Sequence, residues 1–535
     1  MSIKITKSGK LIYPGLIIII LLVLFMPTIY SNSDIIPLFP SNNTNEVSKT
    51  NSFINTDSGH YKENTVITNI NSSLNPVFSS YFGGEEKDSI NSVAVDNINN
   101  LIAITGVTQS EDLPLTEENQ KERPGNIDGF LALLNSKSKA LLYSEFIGGK
   151  GSDKPVSVVF DNKGNLYIAG YTDSEDLFTT KDALQKKNNG KWDIFILKIN
   201  SSDFNTEYST YIGGSSSDVL HDIAVDSYGN LYLTGTTESK DFITTKGAFQ
   251  ENITGKRDAF LMKFNPEENC IVYSTLFGGV SDDYSEAIGI DSEFNAYITG
   301  YTYSSKTRSL PVRNNIFGPS TFSYDSYIAA FNPDGSDLIY STYIGGGGGD
   351  RAKGIVVSEE KIHITGYTYS RDFPVKNAYQ NNSTDQGDSE GFLTCIKKDG
   401  SEVIYSTYLG GEGDDFIHTI QTDEKGNIIL AGETKSGIFL NSGRWENNDS
   451  NPDEKKLNNN CNAFIAVFPE DANYLNSVIL IQGNEYDVIN NIYESDGKIV
   501  AAGMTKSNDL TATKAIQMSN AGSYDGFISE FRFKE

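Results

Sequence analysis

The sequence predicts an all-β fold, a seven-bladed β-propeller, and three observations lead there. Seven aspartates recur at one fixed place: Asp88, Asp153, Asp218, Asp283, Asp350, Asp415 and Asp487. Each stands four residues after a glycine that ends an apolar run: Gly84, Gly149, Gly214, Gly279, Gly346, Gly411 and Gly483. The Gly-to-Gly spacing is 65, 65, 65, 67, 65 and then 72 residues, and a period of this size marks one supersecondary unit used repeatedly. Each unit divides into four short strand-like segments with turn residues at the corners, which is the signature of a propeller blade.

The unit beginning at Tyr208 shows the elements in order. YSTYIGG alternates and ends in two glycines; VLHDIAVD follows and closes in the turn SYGN. LYLTGTT comes next, then a longer polar connection containing TTKGAFQ, and RDAFLMKF completes the set before NPEEN turns into the next unit. Asp-x-x-Gly-Asn ahead of a β-branched run is turn chemistry, because Asn and Gly tolerate positive φ. Segments such as Ala248-Phe249-Gln250 and Ala378-Tyr379-Gln380 are expected to form a short helical turn in the long connection.

By position the IAVD-type strand is the innermost, strand A; the ITGYT type is B, the DAFLMKF type C, and the YSTYIGG type D, the outermost. Seven A strands begin near Ser89, Lys154, Val219, Tyr284, Arg351, Phe416 and Val488. The last unit ends in DGFISEFRF without a D strand, whereas a spare D strand, VFSSYFGG, precedes the first A strand. The N-terminal outer strand is therefore expected to complete the last blade, which removes two open edges.

These motifs are similar to those of the SBBP family, whose name records seven-bladed β-propeller repeats. The resemblance rests on YSTYIGG (340–346), YSTYLGG (405–411), GEGDD (411–415), DSYGNLYLTG (226–235) and SRDFPVKNAYQ (370–380), and spans about residues 77 to 533. It implies a seven-bladed ring on an exported or surface protein of a prokaryote, and brings no catalytic residues. The chain departs from the pattern in its last D strand, NSVILIQG, and in blade 5, where Ser358-Glu359-Glu360 replaces the Asp-x-x-Gly turn.

Lys4, Lys7 and Lys10 precede the apolar segment at 11–30, about the ~20 residues a membrane helix needs. The expectation is one hydrophobic helix acting as a signal anchor, with the remainder outside the cytoplasm; the alternative at 1–30 is a cleaved signal peptide, giving a secreted protein. The following PTIYSNS has no Ala-x-Ala site and no lipid-accepting Cys, which favours the anchor. Residues 31–75, rich in Asn, Ser and Thr, read as a flexible stalk, and 76–535 as the propeller, expected to be monomeric. The polar run 441–461 should protrude. A net charge of −27 argues against nucleic acid, which needs clustered Lys and Arg, and serves solubility. Three cysteines make no disulfide framework; Cys270 and Cys395 read as core residues and Cys461 as exposed.

Four sets of residues are candidates for function. The Asp ring is expected to be structural, each carboxylate accepting local N–H bonds; hairpin arithmetic places Asp283 opposite Thr302 or Tyr303, Asp218 near Thr237 and Asp415 near Thr434. Ca²⁺ would be sought at Asp282, Asp283, Asp414 and Asp415, although it takes 6–8 oxygens and one loop supplies few. Gly-x-Thr recurs at the end of each B strand, from Gly106/Thr108 to Gly503/Thr505, and suits close backbone approach between blades. Three residues after each Asp stand Asn91, Val156, His221, Glu286, Lys353, His418 and Asn490, read as a solvated channel lining and not a metal site. Tyr171, Tyr301, Tyr303, Tyr367 and Tyr369 at the B-strand ends, with His221 and His418, form the one ligand surface, suited to sugars or peptides.

No Ser-His-Asp order, phosphate loop or clustered metal motif stands out. The leading expectation is a non-enzymatic propeller at the cell surface without a cofactor, acting in binding, adhesion or envelope structure with a surface protein or glycan as partner. The rival is an exported carbohydrate-active enzyme, a lyase or hydrolase, using the face shared by the B–C and D–A loops.

Overall fold

A computed structural model of the protein describes residues 67–70, 74–116, 123–318, 323–384, 388–436, 440 and 461–534. The apolar segment 11–30, most of the expected stalk and the polar run 441–460 lie outside the described residues. Among the described residues there is no helix long and apolar enough to cross a membrane.

Each blade starts as a hairpin. In blade 2 the Asp161 carboxylate accepts the N–H groups of Lys163 (2.9 Å) and Asn165 (2.8 Å), and Gly164 sits at φ +82°, so the Asp-x-x-Gly-Asn turn ties itself. In blade 5 Ser358 does the same work through its hydroxyl, which bonds the Lys361 carbonyl at 2.9 Å. Strands C and D extend the hairpin into a four-stranded antiparallel sheet. Blade 3 is typical: A is Asp218–Val225, B Leu231–Thr237, C Asp258–Asn265 and D Cys270–Phe277.

The A strands pack one against the next around the ring, and the A strand of blade 7 (Asp487–Ser495) packs against that of blade 1 (Asp88–Asp96). Blade 7 takes its D strand from the N-terminal side: Leu74–Phe82 pairs antiparallel with Asp525–Phe533, Ser80 opposite Ile528 and Phe82 opposite Gly526. The protein is thus a seven-bladed propeller closed by an N-terminal strand.

Apolar residues gather at the seams between blades. Leu131, Leu133, Ile168, Phe195 and Tyr211 join blades 1 and 2; Phe82, Ile90, Phe130 and Ile528 join blades 7 and 1. Every residue of strand B in blades 2, 3 and 4 is buried, because both of its faces meet another blade. That is why LYLTGTT does not alternate as a one-sided strand would.

The long B–C connection runs along the outer edge of strand D and is not helical. Gln185 accepts the N–H of Tyr211 at 3.0 Å, and Thr180 donates to Ser209 at 3.2 Å. The repeated Tyr-Ser-Thr-Tyr of strand D explains the grip: Ser209 Oγ donates to the Phe178 carbonyl (2.5 Å) and Thr210 Oγ1 accepts the Gln185 amide (3.0 Å). The connection therefore covers the edge that would otherwise recruit another chain. Ala248-Phe249-Gln250, expected as a helical turn, is an extended part of this cover, with Gly247 turning at φ +86° before it.

Blade 6 departs from this rule. Its D strand, Ser477–Ile481, reads SVILI and lacks the Ser-Thr grip. Its outer edge is paired instead by Ile67–Ile70, Ile67 opposite Ile481 and Ile70 opposite Val478. The stretch expected as stalk, 31–75, thus ends in strands, and the N-terminal segment clasps two blades in succession.

Removal of residues 1–84 should cost on the order of 5 kcal/mol or more, since Leu74, Phe78, Tyr81 and Phe82 are buried and each such side chain contributes ~1.5–3 kcal/mol. Removal of 1–73 should leave blade 7 intact and instead promote self-association through the bared edge of blade 6. Calorimetry and light scattering check both; equal melting temperatures for the two truncations would exclude the closure role.

Candidate functional site

Each aspartate at the head of an A strand is fully buried and locks three segments together. In blade 3 Asp218 Oδ2 accepts the Gly214 amide (2.7 Å) and the Ser239 hydroxyl (2.8 Å), while Oδ1 accepts the Thr237 hydroxyl (2.5 Å). Asp153, Asp283, Asp350, Asp415 and Asp487 repeat the pattern with Gly149/Thr172/Ser174, Gly279/Thr302/Ser304, Gly346/Thr368/Ser370, Gly411/Thr434/Ser436 and Gly483/Thr505/Ser507. Asp88 keeps Gly84 (2.7 Å) and Ser110 (2.8 Å), and there Thr108 turns its hydroxyl to the Ser110 carbonyl. The register pairs Asp283 with Thr302, Asp218 with Thr237 and Asp415 with Thr434. Sequence reading missed the serine, although it recurs two residues after every threonine.

The same aspartate reaches the preceding blade through its main chain. The Asp283 amide donates to the Arg257 carbonyl (2.9 Å), Asp218 to Trp192 (2.7 Å), and Asp88 to Tyr524 (2.8 Å), which closes the ring. The B-strand glycines serve packing inside a blade and not between blades: a Cβ on Gly235 would lie 2.0 Å from the Val219 carbonyl oxygen of strand A.

A second buried ring begins the C strands at Asp128, Asp193, Asp258, Asp325, Glu390, Asn462 and Asp525. It explains the glutamine of the Ala-Phe-Gln segments. Gln250 Nε2 donates to Asp258 (2.6 Å) and its Oε1 accepts the Gly278 amide (3.0 Å); Gln185, Gln380 and Gln517 do likewise with Asp193, Glu390 and Asp525. Burial pushes Asp283, Asp350, Asp415 and Asp487 up to about 7, against the pull of their donors, and Asp193 and Asp525 up to about 6.

The expected Ca²⁺ ligands face hydrogen-bond donors. Asp283 holds the lock; Asp414 Oδ2 pairs with Lys435 at 2.9 Å and its Oδ1 accepts from Ser389 at 3.1 Å; Asp282 lies 3.5 Å from Arg257. Among the described residues no three His, Cys, Asp or Glu side chains are arranged to hold a metal ion.

The residues three after each Asp share one cause that the sequence did not reveal: each is the extra residue of a β-bulge, with register shifts at Leu220/Asp222 around His221 and at Ser285/Ala287 around Glu286. A bulge re-aims its side chain, and here the side chain reaches the next blade. Asn91 Nδ2 donates to the Pro155 carbonyl (2.9 Å) and Asn490 to Ile90 (2.8 Å), and His221 Nδ1 contacts the equivalent Ser285 carbonyl (2.5 Å). The ring expected as a solvated lining is therefore partly a set of fasteners between blades. His221 and His418 keep separate partners; His418 stacks on Phe416 with its Nε2 3.7 Å from Glu433. Cys461, expected to be exposed, is buried with its thiol 3.0 Å from Glu433, and Cys270 is only half-buried.

The aromatic residues do not surround the ring evenly. Tyr284 and Tyr301 are cross-strand partners and stack at 4.5 Å. Tyr301, Tyr303 and Tyr324 contact one another at 5.3–6.1 Å. Arg351 lies 4.5 Å over the Tyr301 ring and links this group to its cross-strand neighbour Tyr367. Tyr367 then meets Tyr369 (6.0 Å) and Phe416 (4.8 Å) edge-on. A strip thus crosses blades 4, 5 and 6, with Tyr303 38% and Tyr369 44% exposed. Tyr171 stands apart on blade 2, buried against Trp192 at 5.3 Å with Lys154 over both rings. Tyr324, Arg351 and Trp192 were not singled out from the sequence, because they fall outside its B-strand motif.

Within the strip Glu286 receives two cations from blade 5: Arg351 pairs with its Oε1, and Lys353 Nζ lies 2.7 Å from its Oε2. Burial opposes ionisation of Glu286, but the charges of Arg351 and Lys353 overcome it and hold the carboxyl well below its usual range.

The fold, its four-stranded blades and the repeated lock define a β-propeller of sequence-repeat type. Four of the repeats match the family model of the SBBP β-propeller repeat, at residues 143–178, 207–243, 272–305 and 404–439. Each match runs from strand D through the following A and B strands and so contains an entire lock. No curated protein matches the chain. Among solved structures it is similar to Kuenenia stuttgartiensis hydrazine synthase (10% identity, 77% of this chain and 92% of that one, TM-score 0.44). It is also similar to the Dos1 propeller (10%, 86% and 96%, 0.38) and to a protein of unknown function from Dyadobacter fermentans (8%, 86% and 99%, 0.42).

Two outcomes follow from the lock. Asp283→Ala leaves a buried amide and two hydroxyls unpaired, and should cost about 1–3 kcal/mol in denaturant unfolding. The raised carboxyls bind protons more tightly folded than unfolded; their stabilising contribution is complete below about 4 and is lost as pH rises through about 6 to 7. The melting temperature should therefore be higher at pH 5 than at pH 8, and a lower value at pH 5 would contradict this assignment.

Proposed function

We propose that this propeller is a non-enzymatic binding module of the cell surface, and that its ligand face is the strip of aromatic side chains on blades 4 to 6. One observation carries the reading. At the level just inside the Asp–Thr lock, blades 1, 3 and 7 place Ser89 opposite Val107, Val219 opposite Thr236 and Val488 opposite Met504. Blades 4, 5 and 6 place Tyr284 opposite Tyr301, Arg351 opposite Tyr367 and Phe416 opposite Glu433. Blade 2 places Lys154 opposite Tyr171, but that ring is buried against Trp192. Three blades fold with small or apolar residues here, so a run of aromatic and charged pairs on three adjoining blades, ending in half-exposed tyrosines, answers to more than folding. Half-exposed tyrosines supply contact area with a polar tip at low entropic cost.

The Tyr303→Ala/Tyr369→Ala double variant tests this on an array of glycans and surface proteins. Ligands of the wild type should be lost from the variant and retained by Tyr474→Ala, an exposed tyrosine outside the strip. Retention of every ligand by the double variant would exclude the strip, and turnover of a bound glycan would favour the enzymatic reading.

The apolar segment 11–30 behind Lys4, Lys7 and Lys10 supports anchoring of the module to a membrane. The protein should then sediment with membranes and leave them only in detergent; a soluble form beginning near residue 31 would show cleavage instead.

A further inference from the structure

We infer that the strip takes a sugar bearing a carboxylate, with the acid held between Arg351 and Lys353 and the sugar ring lying on Tyr303 and Tyr369. The inference rests on the binding reading above and adds the chemistry of the ligand.

The cluster carries a charge imbalance. Glu286 answers both Arg351 and Lys353, so one positive charge of the pair is left over. The other acidic and imidazole side chains of the A and B strands around it are already committed. Asp222 accepts the amides of Ile288 (3.1 Å) and Ile223 (2.8 Å) and the Ser157 hydroxyl (3.3 Å). Glu433 takes the Cys461 thiol and lies beside His418, and His221 contacts a backbone carbonyl. The Glu286 side chain is 4% exposed, whereas Arg351 and Lys353 are 16% and 17% exposed. The carboxylate is hidden and the cations remain within reach. A half-buried surplus cation is poorly solvated and attracts an anion, and a guanidinium with an ammonium beside it suits a carboxylate.

The same face suits a sugar better than a peptide. An extended peptide binds chiefly through main-chain hydrogen bonds at a free edge. On blades 4 and 5 the loop amides of Gly279, Val280, Ser281, Gly346, Gly347 and Gly348 are each already bonded to an Asp or Ser side chain. What this face offers is ring surface and cations, which match the C–H face and the acid of a uronic-acid residue.

Isothermal titration of the full chain with hexagalacturonate, maltohexaose and hexaglutamate tests the inference. Hexagalacturonate should bind and maltohexaose should not, and binding should weaken with added salt. Lys353→Met should weaken it at least tenfold, Lys353→Arg should restore most of it, and Tyr369→Ala, on an exposed ring, should weaken it with the charges intact. Equal binding of the two sugars would overturn the carboxylate assignment while leaving a binding face. Binding of hexaglutamate alone would overturn the sugar. Failure of all three probes, with ligands still found on the array, would overturn this inference and spare the binding reading; failure of both would remove both.

Discussion

The aspartate heading each A strand joins four pieces of backbone that would otherwise be independent. Its carboxylate gathers the glycine of the D–A turn and the hydroxyls at the end of strand B, and its amide donates to the residue ahead of strand C in the preceding blade. The first three contacts fix the blade's own corner; the fourth fixes the angle to its neighbour. A carboxylate buried this deeply is tolerated only with its acceptor sites filled. That requirement accounts for the invariant chemistry of the unit: a glycine where a side chain would strike Ser or Asp, and Thr and Ser two residues apart. The apolar seams supply most of the stabilisation, but they are non-directional; the lock sets where the blades stand.

Because every blade carries the lock, the structure separates what the ring needs from what it merely permits. The β-bulge is the permissive element. It turns one side chain per blade out of the ladder, and in blades 1 and 7 an asparagine uses it to hold the adjoining blade. In blades 4 and 5 the same geometry carries Glu286 and Lys353. One backbone device thus serves as a fastener on one side of the ring and as a charged cluster on the other, and the difference lies wholly in the side chain.

The architecture was legible in the sequence because turn glycines and the lock aspartates recur at a near-constant period, and because a missing last strand and a spare first one imply closure. The Asp–Thr pairing followed from hairpin register for the same reason. The bulge was not legible: one extra residue shifts the ladder without altering composition, so Asn91, His221 and Glu286 looked like a lining when they are contacts between blades. The cover on strand D was also hidden, since Gln250 bonds Asp258 through tertiary geometry that no local propensity encodes. The aromatic strip was half visible. Tyr301, Tyr303, Tyr367 and Tyr369 share the motif at the end of strand B, whereas Tyr324 stands just ahead of strand C and Arg351 in strand A, and they join them only in space.

The double clasp has a consequence for how the chain is made. Residues 67–70 wait for 478–481, and residues 74–82 for 526–533; Ser79 bonds Ser529 across 450 positions of sequence. The earliest part of the ring to be synthesised is therefore the last to find its partners. Blades 1 to 5 are local and can form as they emerge, but blade 6 keeps a bare edge until 67–70 finds 478–481, and blade 7 stays open until the final strand is released. Contacts so far apart in sequence make closure the slow step, and the interval before it is when an open edge meets other chains.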